Sequence, residues 1–298
     1  MLKTELKNYL HLHFLVFIWG FTAILGALIS INAIPLVWYR MLIAAVLIFF
    51  YILIIKKPLK ISLIAMVKFI IGGILIAVHW IFFFLAIKIA NVSIALVAMS
   101  TGALFASLIE PFFFKRRLIL IELLFGLIVI SGLYLIFNVE NEYTLGIIYA
   151  LIASFLSALF TVLNGLYIKK HDAVLISFYQ LIFGVIFITI FVLSTTGFKI
   201  ENFTLNSSDI LYLFILGSIC TAYTFIVSVQ IMKYLTPYTM MLTVNLEPVY
   251  GIILAVIIFG EKEKMSPQFY VGALIILITV IINGILKNKK ITYPNIQN

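Results

Sequence analysis

Apolar residues run along this chain in blocks of about twenty, separated by short breaks rich in charged or turn-forming residues. A hydrocarbon core of ~30 Å takes roughly 20 helical residues to cross, so each block has the length of a membrane span. Block by block, the pattern predicts ten helices, at about 10–30, 35–55, 67–87, 93–114, 119–138, 144–166, 174–197, 209–232, 238–259 and 268–286. Strands do not fit, because the blocks are about twice as long as a barrel strand and lack sustained alternation. Short connections predict antiparallel neighbours. The first block, from about Leu12, follows Lys3 and Lys7 in the manner of a secretory signal. It is long for one and a second span follows at once, so it reads as an uncleaved first helix.

Composition turns the pattern into a solvent assignment. Hydrophobic residues make up 64% of the chain and charged residues 10%, too little charge to cover a water-soluble surface. Lipid is the solvent, and the class is an all-α integral membrane protein. The net charge of +9 invites a nucleic-acid reading, but basic residues held in cytoplasmic loops explain it more simply. With the N-terminus inside, about fifteen Lys and Arg fall in inside segments, among them Lys56, Lys57, Lys60, Lys68, Lys115, Arg116, Arg117, Lys169, Lys170 and Lys233. Outside segments hold Lys88, Lys199, Lys262 and Lys264. Both termini are therefore expected in the cytoplasm, with the protein in the plasma (bacterial inner) membrane. Cys220 is the one cysteine, so an intrachain disulfide is excluded, and it reads as a small buried apolar residue.

The blocks repeat. "VWYRMLIAAVLIF" around Arg40 superposes on "SFYQLIFGVIFI" around Gln180 at an offset of 140. The fourth and fifth spans match the ninth and tenth at 146, aligning Gly102 with Pro248, Lys115 with Glu261 and Gly126 with Gly272. The third and eighth fit at about 145, where Lys88 meets Lys233. Two five-helix halves follow, residues 1–140 and 141–298. Five is odd, so the second half enters the membrane inverted, the arrangement of carriers that rock about a midplane site.

At this point the chain resembles the EamA-like branch of the drug/metabolite transporter superfamily. The segment "NLEPVYGIILAVIIFGEK" at Asn245–Lys262 carries the resemblance, with Gly272 beyond it; "FIWG" at Phe17–Gly20 and the Arg40 segment match the opening of the first repeat. The first half departs from the pattern, with Gly102 in place of the proline and Lys115 in place of the terminal acid. The resemblance implies a secondary transporter, often an exporter, of metabolites, amino acids or toxic, drug-like compounds. It implies no particular cargo.

Glu247 is the most informative position. An ionised carboxylate midway along the ninth span must face a cavity, pair or become neutral. Pro248 follows it, removes a backbone hydrogen bond and is expected to bend the helix. The plain alternative is a protonated Glu acting as interhelical glue. Arg40, about a third of the way into the second span, must pair, snorkel or meet an anionic group. His79 and Trp80 lie near the middle of the third span, and helical spacing puts Phe83 on the His79 face. On the ninth helix, spacing puts Thr243, Glu247 and Tyr250 on one face. If these faces meet, the lining is aromatic with a few polar groups and suits a small organic amphiphile; a lipid-facing aromatic ring is the alternative. Trp19-Gly20, Gly72-Gly73 and Gly251 with Ala255 read as close-packing sites, with Trp19 the one expected to see the cavity. Lys88 reads as snorkelling, Glu110 as a partner of Lys115 or Arg116, and Lys115–Arg117 as an orientation anchor.

A membrane enzyme acting on a lipid-linked substrate is the competing class. The chain offers it no P-loop, no paired-acid metal motif and no HExxH, and no cofactor or metal is expected. A receptor or scaffold finds little loop surface for a soluble partner, and an ATP-driven pump would need a nucleotide-binding subunit encoded elsewhere. Proton coupling through Glu247 and uniport both remain open at this point, as does the oligomeric state.

Overall fold

The computed structural model describes residues 2–115, 117, 120–195, 197 and 199–290. Arg116, expected in the orientation anchor, lies outside the described residues, as does the end of the second half beyond residue 290. The described chain is helical, with no strand. The spanning helices are α1 (Leu2–Leu28), α2 (Ala33–Ile54), α3 (Leu63–Ile89), α4 (Val92–Met99 and Gly102–Phe114), α5 (Leu120–Val139), α6 (Thr144–Tyr167), α7 (Ala173–Thr195), α8 (Ser207–Ile231 with an internal π-helical turn), α9 (Pro237–Val244 and Glu247–Phe259) and α10 (Pro267–Lys290). Eight are long and apolar enough to cross a bilayer; α5 and α10 contribute the shorter apolar stretches Leu124–Asn138 and Pro267–Thr279. The helices outrun the apolar blocks where capping extends them. Ser62 Oγ, for example, accepts the Ala65 N–H at 3.2 Å, so α3 begins ahead of its apolar block.

Packing follows an exchange of the two halves. α3 packs on α6 and α7, and reciprocally α8 packs on α1 and α2. α4 lies on α6 as α9 lies on α1, while α2 meets its counterpart α7, α4 meets α9 and α5 meets α10. Helices five apart run in opposite directions, so this is an inverted pair. Its closest approach needs glycine. A Cβ on Gly73 would sit 2.5 Å from the Gln180 carbonyl oxygen and 3.0 Å from the Gly184 nitrogen. Gly217 makes the equivalent approach in the other half, against Ile43 and the Arg40 carbonyl. Small residues let backbones touch where lipid supplies no hydrophobic drive.

The offsets now have a structural meaning. Gly73 and Gly217 differ by 144, whereas Lys88 and Lys233 differ by 145. Between them, in the second half alone, lies the π-helical turn Ser218–Tyr223. A π turn is a one-residue insertion in a helix, which accounts for the drift.

α4 and α9 both break at matching points. α9 is interrupted at Asn245–Leu246, and Pro248 sits in the first turn of the second segment, where its missing N–H costs nothing. α4 is interrupted at Ser100–Thr101 with no proline there. Hydroxyls take over the freed carbonyls: Thr101 Oγ1 donates to Ala98 O at 2.8 Å, and Ser154 Oγ from α6 donates to Met99 O at 3.0 Å. Side chains of this kind make a broken helix tolerable in hydrocarbon.

Replacing Gly73 by Val should force α3 away from α7 and cost about 1–3 kcal/mol, the usual penalty of overpacking. A thermal melt of the detergent-solubilised protein measures it. Ile71, two residues earlier on α3 and 46% exposed, is the control: Ile71→Val should change stability by less than about 0.5 kcal/mol.

Candidate functional site

The two breaks and the π turn face one another across a cavity of about 110 Å³ between the halves. Trp19 and Thr22 reach it from α1, Arg40 from α2, and His79, Trp80 and Phe83 from α3. α6 adds Ser157, Phe160 and Thr161; α8 adds Thr221, Thr224 and Ser228; α9 adds Met240, Val244 and Glu247. Among the described residues, none of its lining comes from α5, α7 or α10.

Arg40 is 2% exposed and is among the largest fully enclosed side chains. Its Nε donates to Thr221 Oγ1 at 2.7 Å, and the guanidinium carbon lies 3.9 Å from the centroid of the Trp80 ring. The π turn presents Thr221: the same hydroxyl donates to Leu216 O, five residues back, at 2.6 Å. Nη1 of Arg40 has no hydrogen-bond partner among the described residues. The guanidinium is thus buried with one edge bonded, one face on an aromatic ring and one donor left over. Snorkelling is therefore not what this side chain does.

The surrounding groups are fixed in turn. His79 Nδ1 donates to the Ala153 carbonyl at 2.8 Å, which ties the ring to α6. His79 stacks on Phe83, with ring centroids 6.2 Å apart, and Trp80 and Phe160 both meet Phe225. Trp19 Nε1 donates to Thr224 Oγ1 at 3.0 Å. Glu247 opens the second segment of α9, where the positive end of the helix dipole favours a carboxylate. Gln180, the counterpart of Arg40, is buried but bonds within its own half, donating to Asn164 Oδ1 at 2.7 Å.

Of the residues singled out in the sequence, Glu247, Arg40, His79, Trp19, Trp80 and Phe83 meet at this cavity. Thr243 and Tyr250 stand outside its lining. The cavity face of α9 runs through Met240, Val244 and Glu247, one position round from the expected stripe. Thr243 donates back to Thr239 O, and Tyr250 lies edge-on to Phe17, with centroids 5.5 Å apart. Sequence reasoning missed the hydroxyls. Ser154, Ser157 and Thr161 recur on one face of α6, as Thr221, Thr224 and Ser228 do on α8, and that helical spacing was the available signal. Lys88, near the end of α3, reaches to the α1–α2 connection, where its Nζ donates to Ile29 O at 2.8 Å.

The family follows from comparison with known proteins. The EamA-like transporter family model matches residues 7–138 and again 144–285. The chain belongs to this family. It is also 26% identical, over 213 residues, to an uncharacterized transporter of Clostridium kluyveri, covering 69% of this chain and 67% of that one. A crystal structure sharing 16% identity superposes with a TM-score of 0.70 over 96% of this chain and 100% of the other, a likeness of fold. Family membership makes this a multi-pass membrane transporter, whose central cavity is the place to seek its small-molecule site.

A second, more open cavity of about 470 Å³ lies at the face that carries the α6–α7 and α8–α9 connections. Lys169, Lys170, His171, Asp172 and Lys233 line it, and Met232 borders both cavities. Partial burial alone would raise the Asp172 carboxyl, but Lys57 and the N–H groups of Val174 and Leu175 outweigh that and hold it below the ordinary carboxylate range. The Lys57 ion pair, at 2.7 Å, ties the α2–α3 connection to the start of α7.

Thr221→Val should leave the Arg40 Nε without its acceptor while preserving side-chain volume. The expected loss is about 1.5–3 kcal/mol, the scale of a hydrogen bond to a charged group, read as a lowered melting temperature that Thr221→Ser restores.

Proposed function

We propose that this transporter is a secondary carrier that moves small organic compounds outward by alternating access, with residues 1–140 and 141–298 rocking about the central cavity. The observation that carries the reading is Arg40, buried between the halves with a free donor beside a cavity that also holds the Glu247 carboxylate. A guanidinium and a carboxyl group at one central site suit a cargo bearing an anionic and a cationic group. The aromatic and methionine lining suits an apolar body, and methionine adapts to more than one shape. Amino acids and drug-like amphiphiles have this chemistry.

The cavity of about 110 Å³ is smaller than the ~300–1,000 Å³ of ordinary ligand pockets. We read it as a contracted conformation that widens when the halves rock. The inside excess of Lys and Arg supports cytoplasmic termini in a bacterial inner membrane. The family resemblance favours export. Glu247, in a cavity that would open to each face in turn, is the group through which protons would couple to the cycle.

The test begins with melting curves of the solubilised full chain across amino acids, amines and nucleosides. A ligand present at 100 times its Kd should add about 2.7 kcal/mol to stability. The best ligand is then used for counterflow in proteoliposomes. Arg40→Gln and Glu247→Gln should each slow counterflow about tenfold or more, a transition-state loss of ~1.4 kcal/mol, while the protein stays folded. Unchanged flux in both variants would remove the reading, and unchanged pH dependence in Glu247→Gln would remove its coupling role.

A further inference from the structure

The broken helices α4 and α9 are each closed at the start by a carboxylate from the other half. Glu263, just past the end of α9 and 4% exposed, accepts the N–H groups of Val92 and Ser93, each at 2.9 Å, and the Ser93 hydroxyl at 2.8 Å. Glu110, near the end of α4 and 5% exposed, accepts the N–H of Tyr238 in the first turn of α9 at 2.8 Å. α4 and α9 run in opposite directions, so these contacts lie at opposite ends of the pair. Between them sit the two helix breaks and the cavity, lined by Met99 of α4 and by Met240, Val244 and Glu247 of α9.

The reciprocity is not inherited from the repeat. At the offset of 146, Glu110 aligns with Val256 and Glu263 with Arg117. Each half has placed its own acid, by its own route, on the N-terminus of the other half's broken helix. The Glu263 route needs a special backbone. Gly260 ends α9 at φ 58, ψ −126, a conformation open to glycine alone, and the 3-10 turn Gly260–Glu263 then brings the acid back to α4.

A carboxylate on the first N–H groups of a helix gains from charge-assisted hydrogen bonds and from the dipole. Both are strong in a site sealed from water and weak once water reaches it. Such a contact therefore has two well-separated states, closed and dry or open and solvated. Other ties on the Glu263 face serve different joints: Asp209 holds Ser30 of the α1–α2 connection, and Glu140 holds Ser266 where α5 meets α10. Glu110 and Glu263 join the two cavity-lining broken helices to each other.

We propose that Glu110 and Glu263 are the two gating residues of the transport cycle. Each latches one end of the α4/α9 pair, the structure has both closed, and release of either opens the central cavity to that face alone. This rests on the carrier reading above.

The native Cys220 supplies the test, because it is the one cysteine of the chain, is 3% exposed and lines the cavity. The small impermeant methanethiosulfonate ethyltrimethylammonium cation is added to sealed vesicles from either side. A protease-cleavable C-terminal tag reports which face is outermost. Glu263→Gln should speed modification of Cys220 about tenfold from the face opposite the termini only, and Glu110→Gln from the terminal face only. Glu263→Asp and Glu110→Asp, which keep the charge with a shorter reach, should fall between wild type and Gln. Size-exclusion profiles show whether each variant remains folded, and the Asp variants carry the comparison if a Gln variant does not. Equal acceleration from both faces, or none from either, overturns the latches. The readout needs no cargo, so failed counterflow with one-sided labelling sinks the carrier reading and leaves the latches; normal counterflow with unchanged labelling does the reverse.

Discussion

Every backbone N–H and C=O in hydrocarbon must find a partner inside the protein, and this fold is organised by where it meets that rule without a continuous α-helix. α2, α3, α6 and α7 run unbroken. α4, α8 and α9 depart from the α-helix near their middles, and all three departures face the same cavity. At each, a side chain or a shorter turn replaces the missing ladder bond. Thr101 and Ser154 serve α4, Thr221 and Thr224 serve α8, and the Leu246 N–H bonds back to Thr243 O in α9. Irregular backbone is thus confined to the one region where a polar lining has a use.

The two-fold relation governs the scaffold and lapses at the cavity. Helix pairs exchange faithfully, Gly73 and Gly217 make matching approaches, and both α4 and α9 break. The chemistry at equivalent points does not match. Arg40 faces the cavity while Gln180 is bonded to Asn164 within its half. Only the second half has the π turn among the described helices, and that turn presents the hydroxyl that holds Arg40. Duplication supplied the paired scaffold, and divergence placed Arg40 and Glu247 at its centre.

Much of this was legible in the sequence, for identifiable reasons. The ten spans showed because hydrocarbon tolerates so little charge that apolar blocks mark them. Arg40 and Glu247 stood out because an ionisable group in such a block needs a purpose. His79 and Trp80 came with them from their place mid-span, Phe83 through helical spacing to His79, and Trp19 as the aromatic beside a close-packing glycine. Thr243 and Tyr250 did not reach the cavity, since the stripe drawn through Glu247 was one position off and the helix is interrupted just before it. The break in α4 carries no proline, and the π turn shows only as a one-residue drift between two aligned pairs. Glu110 and Glu263 look like ordinary acids at span ends, because a hydrogen bond to the backbone of a distant helix leaves no local pattern.

That last gap is physical as well as practical. A side-chain pair can announce itself through complementary charge, but a carboxylate on a helix N-terminus has as its partner a backbone that every sequence possesses. The same anonymity frees the contact from the repeat: any acid that reaches the first turn will serve, whatever its register. Glu110 lies within the last turns of α4, whereas Glu263 arrives through a glycine-dependent turn beyond α9. The alternating cycle proposed above would need equivalent functions at its two ends, not equivalent residues. The inverted duplication guarantees two helix N-termini at opposite faces, and an acid from anywhere nearby completes each one.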